Sequence, residues 1–167
     1  NVLIDDPQFT AEQKDQFRII EDSTSQALTM VNNSLDIYKM ETGQYKLVPA
    51  KVNIASTIEK VIIDLNELAL SYKVIIHLKK FAKPVNVSGE YFLCYSIFSN
   101  LLKNAIEASP QHCKVTIAIE LEDNEIATRF YNEGLVPKEI HSNIFDKYIT
   151  VNKASGNGIG TYSAKLM

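Results

Sequence analysis

Between Gly89 and Pro110 the residues Glu90 to Ala108 read as one long, largely apolar helix that nevertheless carries Asn100 and Asn104 beside Leu101, Leu102 and Ala105. Residues four apart share a face of a helix, so two amide oxygens at this spacing can converge on a single cation. Helix asparagines ordinarily face solvent, a reading that loses force inside so apolar a segment. Further along, Gly156-Asn157-Gly158-Ile159-Gly160-Thr161 forms a glycine-rich loop that opens a last helix near Gly160. Such a loop offers backbone N–H groups and the positive end of a helix dipole to phosphate. Both elements within one small domain point to a magnesium–nucleotide site.

The 167 residues suffice for one domain, or for one domain with a helical appendage. A hydrophobic fraction of 46% and a net charge of −3 suit a globular protein and argue against a nucleic-acid surface. Lys79, Lys80 and Lys83 read as a solvated rim rather than a basic patch. Cys94 lies in an apolar helical run and Cys113 at a strand start, in no ligand spacing, so both read as thiols of a reducing compartment. No secretory leader and no membrane-length apolar run is visible. The expected location is therefore cytoplasmic, with any membrane attachment supplied by segments outside these residues.

Thr10-Ala11-Glu12-Gln13 has the form of a capping box, from which a helix is expected to run to about Thr42 and stop at Gly43. Its stripe of Phe17, Ile20, Thr24, Ala27, Val31, Ser34 and Tyr38, widened by Leu28 and Leu35, alternates by three and four. That spacing suits a bundle or a dimer partner, and seven turns would overhang a small domain. Tyr45 to Val52 reads as an extended connector broken by Pro49. Ile54 to about Leu70 reads as a second helix, and Val74 to Leu78 and Val85 to Val87 as strands. Val115 to Leu121 and Ile126 to Tyr131 form a hairpin across Asp123-Asn124, followed by a short helix from about Pro137 to Ile144. The expected fold class is α+β, a two-layer α/β sandwich preceded by a long helix. The expected division places a helical unit in residues 1–45 and the nucleotide domain in residues 46–167.

The order of these segments resembles the catalytic, ATP-binding part of sensor histidine kinases, within the superfamily that also holds gyrase, Hsp90 and MutL. The family's N box resembles Asn100-Leu101-Leu102-Lys103-Asn104-Ala105-Ile106-Glu107-Ala108-Ser109, and its first glycine box resembles Asn132-Glu133-Gly134. Its phenylalanine box resembles Ile144-Phe145-Asp146-Lys147-Tyr148, and its second glycine box resembles Gly156 to Lys165. Upstream, Ser34 to Gly43 is similar to the end of the second helix of the kinases' dimerisation hairpin. The resemblance spans roughly residues 11–167 and implies the Bergerat-type ATP-binding fold.

It also implies ATP and Mg2+ as cofactors, a response regulator receiver domain as partner and a homodimer in the intact kinase. Asn104 would be the magnesium ligand, and Asn100 would support phosphate or a metal-bound water. Asn132 and Gly134 would meet the adenine, and Lys153, Gly156, Gly158, Ile159, Gly160 and Thr161 the phosphates. Hydrolysing members of the superfamily resemble one another in a glutamate where this chain has Asn100. An amide takes up no proton at neutral pH, so a water-activating base is missing there.

Two departures bear on activity. Asn132 stands where the family has an aspartate, which keeps a carbonyl acceptor for the adenine amino group but loses the charge. None of His77, His112 and His141 lies in a long helix before an acidic residue, so no phosphoacceptor is expected in the chain. The expected function is donation of the ATP γ-phosphoryl group to a histidine outside these residues. The alternative is a non-catalytic nucleotide-binding or scaffolding module.

Overall fold

The computed structural model describes residues 8–79, 84–123, 125–149 and 158–167, with the Gln26 side chain left aside. It divides into two compact units, residues 1–45 and 46–167.

The first unit is helix α1 (Ala11–Glu41). The Thr10 hydroxyl accepts the Gln13 N–H at 3.3 Å and the Gln13 side chain accepts the Thr10 N–H at 2.9 Å, a reciprocal capping box. At the other end Gly43 N–H reaches Met40 O and Gln44 N–H reaches Lys39 O, the paired bonds of a Schellman stop. Ile20, Leu28, Val31, Leu35 and Tyr38 of the apolar stripe are exposed on this helix.

The second unit runs β1 (Ala50–Asn53), α2 (Ile54–Asp64), α3 (Asn66–Ser71), β2 (Ile75–Lys79), β3 (Asn86–Gly89), α4 (Tyr91–Ala108), β4 (Lys114–Glu122), β5 (Glu125–Tyr131) and α5 (Gly160–Leu166). A 3-10 turn at Lys138–Ile140 follows β5. Strand β4 lies between β2, to which it is parallel, and β5, with which it forms an antiparallel hairpin. Strands β1 and β3 form a separate antiparallel pair. The architecture is the expected α+β sandwich.

Its core is a sheet face against helices. Val115, Ile117 and Ile119 point from β4 into a cluster with Ile58 and Val61 of α2 and with Phe98, Leu102, Ala105 and Ile106 of α4. The alternate positions Thr116 and Glu120 lie on the opposite face, as a strand's two-residue period requires. On that face Arg129 of β5 pairs with Glu120, and with Glu122 at 2.6 Å. Helices α2 and α4 are tied by the Tyr95 hydroxyl, which donates to Asp64 at 2.8 Å, while Lys60 meets the same carboxylate at 2.7 Å. Burial and the neighbouring Asp64 push the Tyr95 phenol up to about 12.

Three elements differ from expectation. Tyr45 to Val52 is not wholly a connector: once past Pro49 the chain forms β1 and pairs with β3, from Ala50 opposite Gly89 to Asn53 opposite Asn86. The helix expected over Ile54 to Leu70 breaks at Leu65, between Asp64 and Asn66, residue types that compete with helical backbone bonds. The short helix expected from Pro137 to Ile144 contracts to the 3-10 turn, closed by Ile140 N–H to Pro137 O and His141 N–H to Lys138 O.

Leu102 and Ile106 are completely buried. Leu102→Ala should cost about 2–5 kcal/mol of stability, the range for deleting a large core side chain. Urea unfolding of the purified chain measures it, and a loss within 0.5 kcal/mol (about the surface-substitution range) would contradict this core assignment.

Candidate nucleotide site

Helix geometry separates the two duties of α4. At about 100° per residue, Asn100 lies nearly opposite Leu102 and shares its face with Asn104. The core thus holds the Leu102 side while the asparagines are carried on the far side, where α5 packs. Both asparagines are half-buried. Asn100 Nδ2 donates to Ser163 Oγ at 3.2 Å, and Ser163 is itself buried with its hydroxyl donating to Gly160 O at 3.0 Å. Gly160 comes so close that a Cβ there would sit 3.2 Å from Asn100 Oδ1.

The 132–134 turn reaches the far end of the same helix. Asn132 Nδ2 donates to the Gly134 carbonyl at 3.3 Å. A Cβ on Gly134 would lie 1.9 Å from the carbonyl oxygen of Ala108, so only glycine fits against the last turn of α4. Glu133 accepts a 3.4 Å contact from the Cys113 thiol, and this hydrogen bond pushes the Cys113 pKa upward.

Segment Ile144–Tyr148 is strapped to α5. The Thr161 hydroxyl donates to the Ile144 carbonyl at 2.7 Å, and Tyr148 N–H donates to Gly158 O at 2.9 Å. Lys147 lies over the Tyr162 ring at 5.1 Å and Lys165 over the Phe145 ring at 6.0 Å. Gly158 has φ +62°, and a Cβ there would meet the Tyr148 carbonyl carbon at 2.5 Å, so glycine is required on both counts.

Of the residues named from sequence, Asn100 and Gly160 come together at the α4–α5 contact, with Ile159 at the start of α5 and Thr161 in its first turn. Asn104 lies one turn along α4. Asn132 and Gly134 gather at the α4 C-terminus. Lys153 and Gly156 lie outside the described residues. Thr161 spends its hydroxyl proton on Ile144, a structural bond that residue spacing did not suggest. Ser163 was not singled out at all, since nothing in the spacing pairs positions 63 residues apart.

The histidines keep to structural places. His77 lies on β2, His112 in the turn before β4 with φ +66°, and the His141 ring nitrogen is 2.8 Å from the Val136 carbonyl.

The donor set fits a magnesium–nucleotide complex. Two neutral amides one turn apart offer hard oxygen atoms, the ligand type magnesium prefers alongside phosphate and water. Among the described residues no cluster of three His, Cys, Asp or Glu offers a competing metal site. Among the same residues no helix is long and apolar enough to cross a membrane.

Comparison with known proteins meets this geometry. Residues 90–167 match the family described as histidine kinase-, DNA gyrase B- and HSP90-like ATPase. Histidine kinase P4 of Formosa agariphila is 24% identical over 156 residues, covering 88% of this chain and 11% of that protein. The full-length structure of ShkA in complex with AMPPNP superposes with a TM-score of 0.71 at 18% identity, over 95% of this chain and 34% of that one. Histidine kinase ThkA in complex with response regulator protein TrrA gives a TM-score of 0.58 at 22% identity, over 87% and 42%. The chain spans between 11% and 26% of the first curated relatives it matches. The structural likenesses establish the fold.

Gly134→Ala should therefore force the 132–134 turn off α4 and cost about 1–3 kcal/mol, the usual range for overpacking. Denaturant unfolding tests this, and an unchanged midpoint would contradict the close approach to Ala108.

Proposed function

We propose, from the match of residues 90–167 to the histidine kinase-, DNA gyrase B- and HSP90-like ATPase family and from the histidine kinase relatives, that the chain carries a sensor histidine kinase ATP-binding domain, binds Mg-ATP and presents the γ-phosphoryl group to a histidine outside these residues. The observation that carries the choice of acceptor is Asn100. At the position of the hydrolases' glutamate it is an amide held by Ser163, which can orient a ligand but cannot deprotonate a water.

Magnesium, when bound, supplies charge neutralisation at the transferring phosphate. The protein's part is positioning and electrostatics. Asn104 is the proposed ligand, with Asn100 beside it on the same helix face. Asn132, turned by its bond to Gly134, is the proposed acceptor for the adenine amino group. Lys153 and Gly156 to Thr161 are the proposed phosphate contacts. In the transfer itself an imidazole nitrogen bonds to the γ-phosphorus as the bond to the β-γ bridging oxygen breaks, leaving ADP.

The division into a helical unit and a nucleotide domain is read as the second helix of a dimerisation hairpin followed by the catalytic domain. The exposed stripe of α1 supports a homodimer in the intact kinase, because a helix with so much exposed apolar side chain gains by burying it. A response regulator receiver domain is the proposed downstream partner, supported by the fold shared with ThkA in its complex with TrrA. A cytoplasmic site of action follows from that chemistry. A scaffolding role without turnover remains the second reading, motivated by the neutral Asn132.

Titration calorimetry with Mg-ATP should show binding, and Asn104→Ala should weaken it by more than about tenfold, the scale on which disturbing a metal's surroundings acts. Unchanged affinity would remove Asn104 from the metal site. Adding a separate dimerisation hairpin that carries the acceptor histidine should yield labelled phosphohistidine. Tight ATP binding with no transfer would sink the kinase reading in favour of the scaffold. Asn132→Asp should tighten nucleotide binding by about threefold to tenfold, since a charged acceptor makes the stronger hydrogen bond. Weaker binding by that variant would show that residue 132 does not face the adenine amino group.

A further inference from the structure

Ser163 lies within the second glycine box but was given no role there, yet it is the polar side chain that meets Asn100 across the α4–α5 contact. It is buried at 4% exposure. Its hydroxyl has one hydrogen, and the Gly160 carbonyl, 3.0 Å away, can only accept. With its proton donated to Gly160, Ser163 Oγ turns its lone pairs toward Asn100. The NH2 edge of the Asn100 amide is the one that meets them, at 3.2 Å. This hydrogen-bond chain is what assigns the two edges of the amide, nitrogen toward Ser163 and oxygen away from it. Oδ1 is left on the opposite edge, close against the start of α5, where Gly160 lacks the Cβ that would press upon it at 3.2 Å.

From this chain of bonds we propose that Ser163 is a positioning residue: it locks the Asn100 amide so that oxygen, not nitrogen, is presented to the nucleotide site. The inference rests on the nucleotide reading above and deepens it. Asn100 had two candidate duties, toward phosphate or toward a metal-bound water. Phosphate oxygens accept and could use only the second hydrogen of an NH2 edge already turned to Ser163. Water bound to magnesium donates, and matches Oδ1. Position 100 thus serves the hydrated cation, and Ser163 makes that choice from the neighbouring helix.

The experiment is calorimetric titration of the whole chain with ATP, once with excess magnesium and once with EDTA. Ser163→Ala should lose about threefold to tenfold in affinity with magnesium, the effect of one hydrogen bond, and change less than about twofold in EDTA. Ser163→Thr, which keeps the hydroxyl, should recover the magnesium-dependent affinity. In an Asn100→Ala background Ser163→Ala should have no further effect. Equal losses with and without magnesium, or undiminished magnesium dependence in Ser163→Ala, would overturn the positioning role. A wild-type chain with no magnesium dependence would instead overturn the nucleotide reading on which it rests. The unsubstituted protein gives a further check that needs no variant. The Asn100 side-chain NH2 should show slowed hydrogen exchange in NMR, and exchange at the rate of an exposed amide would contradict the lock.

Discussion

Everything at the candidate site hangs on the burial of one face of α4. Leu102 and Ile106 admit no solvent, and Phe98 and Ala105 complete a stripe packed against β4 and α2. A helix anchored on that side has no freedom to rotate, because turning it by one residue would expose a leucine and bury an amide. The opposite face is therefore fixed to the same precision as the core, and Asn100 and Asn104 inherit it. Side chains that must meet a ligand gain from standing on an element whose own packing leaves no alternative. The ends of α4 are used in the same way: its last carbonyls support the 132–134 turn at Gly134, and its middle receives α5 through Ser163.

Periodic features were legible in the residues because periodicity reports directly on burial. The α1 capping box and its stop at Gly43, the α4 run and the β4–β5 hairpin each carry a local signal several residues long. The elements that differed lack one. Strand β1 is four residues long and depends on pairing with β3, more than thirty residues away, which no local pattern announces. The break at Leu65 interrupts a continuous apolar stripe, so the periodicity that revealed the helix also concealed its division. The 3-10 turn after Pro137 is too short to have a period at all.

The site divides along the same line. That Asn100 and Asn104 share one face was legible from helical spacing, and the close approach at Gly160 from glycines clustering where backbones meet. Ser163 was not, nor was the bond that Thr161 makes, since their partners, Asn100 and Ile144, are distant in the chain and the hydroxyls are short and common. At Gly158 the structure adds a duty that spacing did not announce: its positive φ and its contact with Tyr148 show that the chain path itself demands glycine there.

The chemistry of the site is a consequence of building it from amides. A carboxylate at position 100 would bring a proton acceptor and a full charge, and the buried Ser163 hydroxyl could not dictate which of its two equivalent oxygens faced the ligand. An amide has unlike edges, so a single neighbouring hydroxyl can select one of them. What is surrendered is the ability to activate water, and what is gained is a fixed oxygen dipole. That exchange favours holding a phosphoryl donor intact until an external acceptor arrives. On the proposed nucleotide reading the same exchange of amide for carboxylate recurs at Asn132, where it gives a weaker acceptor instead of a disabled base. The orientation of both amides is supplied by α5 and the Gly134 turn bearing on one buried helix.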